Sequence, residues 1–234
     1  MITLAEFKNL VSVSKKDICQ EIYAENADKI KVKKEDRVVK NLAKIFDATL
    51  AISNKKGFHA MSLRNLSEGA GLSMGALYSY FAGKDELLAM IQDQGRRLTA
   101  RIMVSQVEAA DGWREKLRAG ITAHVYLSEA MQPWFYFSFM EARNLDKKQM
   151  KEAIASEIFT EQVLAEILVK GRAEGVFTVE NPDMTAAIIK AMLQEWYVKR
   201  WKYRSRNVTV EEYVKFVIGW IEAVVCPGKP LPIE

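Results

Sequence analysis

Apolar residues recur three and four apart along nearly the whole chain, for example at Val38, Leu42, Ile45, Phe46 and Leu50 and again at Leu87, Leu88, Ile91, Leu98 and Ile102. That spacing gathers them on one stripe of a helix. Strand-like alternation between turn residues is not apparent, and neither repeats nor low-complexity tracts interrupt the pattern. The pattern predicts an all-α fold.

Punctuation along the chain divides it further. Residues 1–36 read as a charged N-terminal extension with candidate helices after Thr3 and Ser14 and a basic patch at Lys29, Lys31, Lys33 and Lys34. A long amphipathic helix runs from about Arg37 to Gly57, where a glycine suits a left-handed terminus. Two short helices follow, then one long helix from Lys84 to Ala110 that Asp111-Gly112 breaks before Trp113. Pro133 fits the first turn of a helix reaching about Asn144. The next covers Lys147 to Glu174 and stops at Gly175. Asn181-Pro182 opens a helix to about Arg204, and Thr209 caps a last one that ends before Pro227. The expected division is 1–36, then 37–84, then a larger helical domain 85–226, then an irregular tail 227–234.

Composition narrows the classes of function. Apolar residues make up 49% of 234, enough for a core without staples. Cys19 and Cys226 stand far apart with neither metal nor redox spacing, which points to reducing cytosol. No run is long or apolar enough to cross a bilayer and the first residues lack the shape of a signal peptide, so a membrane or secreted location is not expected. With only His59 and His124 beside the two cysteines, no metal-ligand cluster forms. Serine-nucleophile elbows and phosphate-binding P-loops are missing. The glycines from Gly69 to Gly75 are one residue too widely spaced for a dinucleotide fingerprint and follow a helix, not a strand. Neither enzyme chemistry nor a cofactor is expected.

Charge is uneven. The formal net charge is +4, yet residues 37–84 hold seven basic side chains (Arg37, Lys40, Lys44, Lys55, Lys56, Arg64, Lys84) against two acidic ones (Asp47, Glu68). A surplus of five in one segment suits a polyanion-binding module beside a near-neutral domain. Chance clustering on a solvated face gives the same count.

The stretch from Gly57 to Leu87 carries more information. Ser62 suits the N-cap of a helix whose Leu63, Leu66 and Ala70 form an apolar face. Gly71 supplies the turn, Ser73 caps the next helix, and Leu77 and Phe81 lie on its buried side, leaving Met74, Ala76 and Tyr78 outward. Two short helices about a glycine turn describe a helix-turn-helix, the second helix sized for the major groove.

The order Leu63-Arg64, Ala70-Gly71-x-Ser73-x-Gly75-x-x-Tyr78-x-Tyr80-Phe81-x-x-Lys84-x-x-Leu87 resembles the TetR/AcrR family of transcriptional regulators over about 50 residues. The extension before Arg37 is longer than most members carry. The resemblance implies that Ser62, Tyr78 and Tyr80 reach backbone phosphates, that Lys84 and the amides opening the next helix clamp another, and that Gly75 lets the backbone approach the duplex. Met74 to Tyr80 contains no Arg, Asn or Gln for a bidentate base contact. Readout then falls to Met74 and Ala76 against thymine methyls, to Arg64, and to duplex shape. For Arg64 simple solvation stays open, as it does for Lys31, Lys33 and Lys34, where the alternative is an arm along the minor groove.

The same resemblance implies a homodimer built from the last two long helices, with Ile188, Met192, Tyr213, Phe216, Val217 and Trp220 as interface candidates and a near-palindromic double-stranded operator. Met103, Ile121, His124, Phe137, Met140, Phe159 and Trp196 fit a pocket for a small apolar or aromatic effector, a fatty acyl group among them, although each also suits helix packing. The reading is a cytoplasmic, ligand-released repressor. Its rivals are a helical carrier or sensor without useful DNA affinity and an interaction protein using its aromatic patches.

Overall fold

A computed structural model describes residues 2–11, 14–226 and 228. The tail expected to be irregular therefore lies, apart from Gly228, outside the described residues. Twelve α-helices follow one another among them: α1 Leu4–Val11, α2 Lys15–Glu25, α3 Glu35–Lys56, α4 Leu63–Ala70, α5 Met74–Leu77, α6 Lys84–Ala109, α7 Trp113–Ala130, α8 Gln132–Glu141, α9 Lys147–Ala173, α10 Pro182–Val198, α11 Arg200–Ser205 and α12 Val210–Val225. A single 3-10 turn, Ala142–Asn144, prolongs α8. The described residues contain no strand.

The chain forms two compact units, each from discontinuous sequence: residues 12–97 with 133–153, and residues 1–11 with 98–132 and 154–234. This departs from the linear division expected from sequence. The extension 1–36 is not a single appendage, because α1 belongs to one unit and α2 to the other.

The first unit is built on α3. Val38, Leu42, Ile45 and Phe46 are buried along it, and α2 and α4 pack against it. From α2 come Ile18, Cys19 and Ile22. Burial pushes the Cys19 thiol up to about 12, so it stays protonated and inert. Trp134 of α8 meets Phe46 edge-on at 6.0 Å and donates its indole N–H to the Ile91 carbonyl at 3.1 Å. Phe137 packs against Phe58 at 5.8 Å, and the Phe58 amide donates to buried Glu141 at 3.0 Å.

The second unit surrounds α7. Every residue from Gly120 to Ser128 is buried, which requires neighbours on all sides; α1, α10 and α12 supply contacts. Phe7 of α1 meets Tyr126 edge-on at 5.6 Å, and the Tyr126 hydroxyl donates to the Ile2 carbonyl. The helix expected from Asn181 to Arg204 is two, α10 and α11, parted at Lys199. Neither glycine nor proline marks that break. Beyond it Arg200 stacks over Trp196 at 4.4 Å and makes a two-pronged pair with Glu129 at 2.8 and 3.1 Å. The break is thus accompanied by tertiary contacts that the local sequence does not announce.

Candidate nucleic-acid interface

The helix-turn-helix comprises α4, the turn at Gly71, and α5. Ser62 and Asn65 cap α4 reciprocally, with the Ser62 hydroxyl accepting the Asn65 amide at 3.0 Å while the Asn65 side chain receives from Ser62. Gly71 ends α4 in the left-handed region, φ 62°, where a Cβ is strained. Ser73 caps α5 by accepting the Ala76 amide at 3.2 Å. Leu66, Ala70 and Leu77 turn inward, and Met74 and Tyr78 stay exposed. At Gly75 an added Cβ would meet nothing within 4 Å, so packing within the chain does not demand glycine there.

The second helix is shorter than the expected Met74–Tyr80. After Leu77 the chain tightens, with Ser79 and Tyr80 amides donating three residues back to Ala76 and Leu77. Three residues per turn eclipses positions three apart, so Tyr80 joins Leu77 on the buried side. The outcome corrects the expectation for Tyr80. It is 1% exposed and its hydroxyl receives the Asn41 side-chain amide at 2.7 Å, whereas Tyr78 is 44% exposed. Tyr80 locks the motif to α3; it does not present a hydroxyl to a partner. Asn41 escaped the sequence reading, since nothing local ties it to a residue 39 positions away.

Arg64 projects into solvent with only a loose 3.6 Å approach to Glu68. The Lys84 ammonium donates to the His59 carbonyl at 3.0 Å and lies 5.0 Å over the Phe58 ring. Desolvation lowers its pKa, with Asp85 and Glu141 opposing. Ser62 and Ser73 spend hydroxyl capacity on their caps, yet both residues remain exposed. The motif thus presents Ser62, Arg64, Ser73, Met74, Gly75 and Tyr78 on accessible surface, Ala76 partly, and Tyr80 not at all.

Residues 45–91 match the family of bacterial regulatory proteins described as tetR, and residues 110–217 match the tetracycline repressor-like C-terminal domain. The chain belongs to the TetR family of transcriptional regulators. It is 25% identical over 187 residues to the HTH-type transcriptional repressor KstR of Mycobacterium tuberculosis, covering 75% of this chain and 80% of that one. Among solved structures it is similar to the TetR-family regulator PfmR from Thermus thermophilus, with 25% identity, a TM-score of 0.67, and coverage of 77% of this chain and 97% of that one. AibR, solved with isovaleryl coenzyme A and operator DNA, shares the fold at 19% identity and a TM-score of 0.68, over 76% of this chain and 96% of its own. This TetR-family chain is accordingly a DNA-binding regulator.

The second unit holds most of the residues matched by the C-terminal domain, and there the structure separates residues that the sequence grouped. Met103, Ile121, His124 and Trp196 are buried in that unit, while Phe159 of the same unit is exposed. Phe137 and Met140 belong to the other unit, Phe137 in its core and Met140 at its surface. The seven are thus divided between the two units. Buried His124 is held neutral, its pKa lowered first by desolvation and then by nearby Lys190. Lys190 pairs with Glu157 at 2.8 Å, and Gln194 donates to the same carboxylate.

A groove of about 1040 Å³ lies elsewhere in that unit, lined from α1, the end of α6, α7 and α12. Ile2, Phe7, Ala119, Ala123, Phe216 and Ile218 give it an apolar side. Arg118 on its wall is committed to Glu222 at 2.5 and 3.0 Å and to Glu115 at 2.5 Å. Sequence reasoning missed the groove, since it left the role of residues 1–36 open and nothing local ties α1 to α7 and α12.

The interface candidates divide likewise. Ile188 (52%), Phe216 (61%) and Trp220 (38%) are exposed, joined by Met184 and Val224. Tyr213 and Val217 are not available, being buried in their own unit. Tyr213 stacks with Trp196 at 4.8 Å and donates its hydroxyl to the Met192 carbonyl at 2.6 Å. Met192 is partly covered.

Proposed function

We propose that this protein is a repressor that binds a near-palindromic operator as a homodimer and leaves it when a small, largely apolar ligand binds. The observation that carries dimerisation is the spacing of Phe216, Trp220 and Val224, large apolar groups four residues apart and exposed along α12, with Met184 and Ile188 one turn apart on α10. Such a stripe on a water-facing helix is a surface awaiting a partner helix. One short recognition helix makes few contacts, and two on one duplex multiply the affinity. Two half-sites related by a dyad read as a palindrome.

Support for an effector comes from the described groove, whose volume suits a small molecule and whose apolar side suits an acyl or aromatic group. The complex of AibR with isovaleryl coenzyme A and operator DNA points the same way. Release follows only if the ligand binds the DNA-incompetent state more tightly than the competent one; equal affinity for both shifts nothing. Repression accords with the relative KstR.

The testing experiment is recovery and sequencing of genomic fragments bound at near-physiological salt, with the mass of the protein measured in parallel. Enrichment of a short near-palindrome by a dimer sustains the proposal. A monomer that enriches no sequence, even after bound small molecules are stripped away, turns the reading to a helical ligand carrier.

A further inference from the structure

The residues joining α2 to α3 lie outside the family match, which begins at residue 45, yet they bond to the chain just after the recognition helix. The Lys31 amide donates to the Ser79 carbonyl at 2.9 Å, one residue past exposed Tyr78. This segment is pinned at several other points. Ile30 is fully buried, its amide donating to the Asn26 carbonyl at 2.9 Å. The Tyr23 hydroxyl donates to the Lys33 carbonyl, and the Lys33 ammonium donates to the carbonyls of Ala27 and Ile30.

Lys33 is therefore engaged in holding the turn, while the side chains of Lys29, Lys31 and Lys34 extend from exposed positions. Acidic neighbours Asp28, Glu35 and Asp36 offset part of the charge, and Glu35 is already shared with Gln20 at 3.0 Å. Residues 28–37 still carry five basic groups against three acidic. Positive charge on a segment bonded to the chain just after the recognition helix is matched to duplex phosphates.

We propose that residues 29–34 form a second DNA-contacting element, with Lys29, Lys31 and Lys34 pairing with backbone phosphates next to those reached from the recognition helix. It is a fixed shoulder of the DNA-binding unit. Because its partners are phosphates, it adds affinity without sequence preference. The proposal rests on the DNA-binding reading of the helix-turn-helix and extends its footprint.

The test compares the whole protein with a Lys29→Gln, Lys31→Gln, Lys34→Gln triple variant, using one recovered duplex and one unrelated duplex of equal length. The salt dependence of binding is expected to flatten by about 0.9 in log–log slope for each phosphate that no longer meets a lysine, with both duplexes weakened alike. A control triple, Lys147→Gln, Lys148→Gln and Lys151→Gln, removes the same charge from α9 and is expected to keep the wild-type slope. Thermal midpoints of the first triple should match the wild type, since its side chains are exposed. Wild-type slope in the first triple, or equal flattening in both triples, overturns the proposal. A wild-type protein whose binding ignores salt overturns the DNA-binding reading itself, and this one with it.

Discussion

The helix-turn-helix and the unit around α7 meet their polar obligations over very different distances. At the starts of α4 and α5 they are met close by, with Ser62 bonding Asn65 and Ser73 bonding Ala76, each three residues on. Around α7 they are met from afar: Arg118 with Glu222, Glu129 with Arg200, Lys190 with Glu157. Local capping leaves the outer face of the motif exposed, while distant pairing ties long helices of the other unit together. The exposed apolar groups differ in the same sense. Met74 and Tyr78 stand among serines and glycines, whereas Phe216, Trp220 and Val224 repeat along one helix and suit a second copy.

The sharpest break in this comparison is the α12 stripe. Phe216→Asp with Trp220→Asp is expected to yield monomers by sedimentation and to weaken operator binding by about 100-fold, the contribution of the second half-site. A dimeric, tight-binding double variant would remove the stripe from the interface.

Next in size is the distant pairing. Arg118→Ala strands Glu222, whose side chain is 3% exposed, and should lower stability by about 2 kcal/mol in chemical denaturation, less than a fully buried pair because Arg118 is itself partly solvated. Adding Glu222→Gln should restore most of the loss. No recovery would mean that packing, not the stranded charge, is what was lost.

The two tyrosines sharpen the motif side. Tyr80→Phe removes the partner of buried Asn41 and should cost about 1 kcal/mol of stability with the salt slope unchanged. Tyr78→Phe should leave stability alone and weaken operator affinity about fivefold. Exchanged outcomes would reverse the assignment of inside and outside.

The smallest effect is titration of His124. Its folded pKa lies below the ordinary 6.5, so the unfolded chain binds the proton first. Stability should therefore fall as pH drops below about 6.5. His124→Gln should flatten that part of the stability profile.

Much of this was legible because the signals are short-ranged. The caps Ser14, Ser62, Ser73, Asn181 and Thr209, the left-handed Gly71 and the three-and-four periodicity of α3 and α6 each act within about one turn of helix, and the helix boundaries followed them closely. Tyr80 was misread because an α-helical period was carried across a turn that tightens to three residues. The unit that takes Phe137 was not legible, because an aromatic-rich run does not say which unit will bury it. Nothing near Lys199 signals the break between α10 and α11.

By itself, then, the sequence determined an all-α chain with a helix-turn-helix of the TetR family, because capping, turn conformation and amphipathic periodicity are properties of neighbouring residues. Only the tertiary structure decided that α1 and α2 join different units, that Tyr80 faces inward while Tyr78 does not, and that Lys31 bonds to the chain just after the recognition helix. Those choices depend on which distant surfaces close over each side chain, and burial of that kind is settled by the packing of the whole unit.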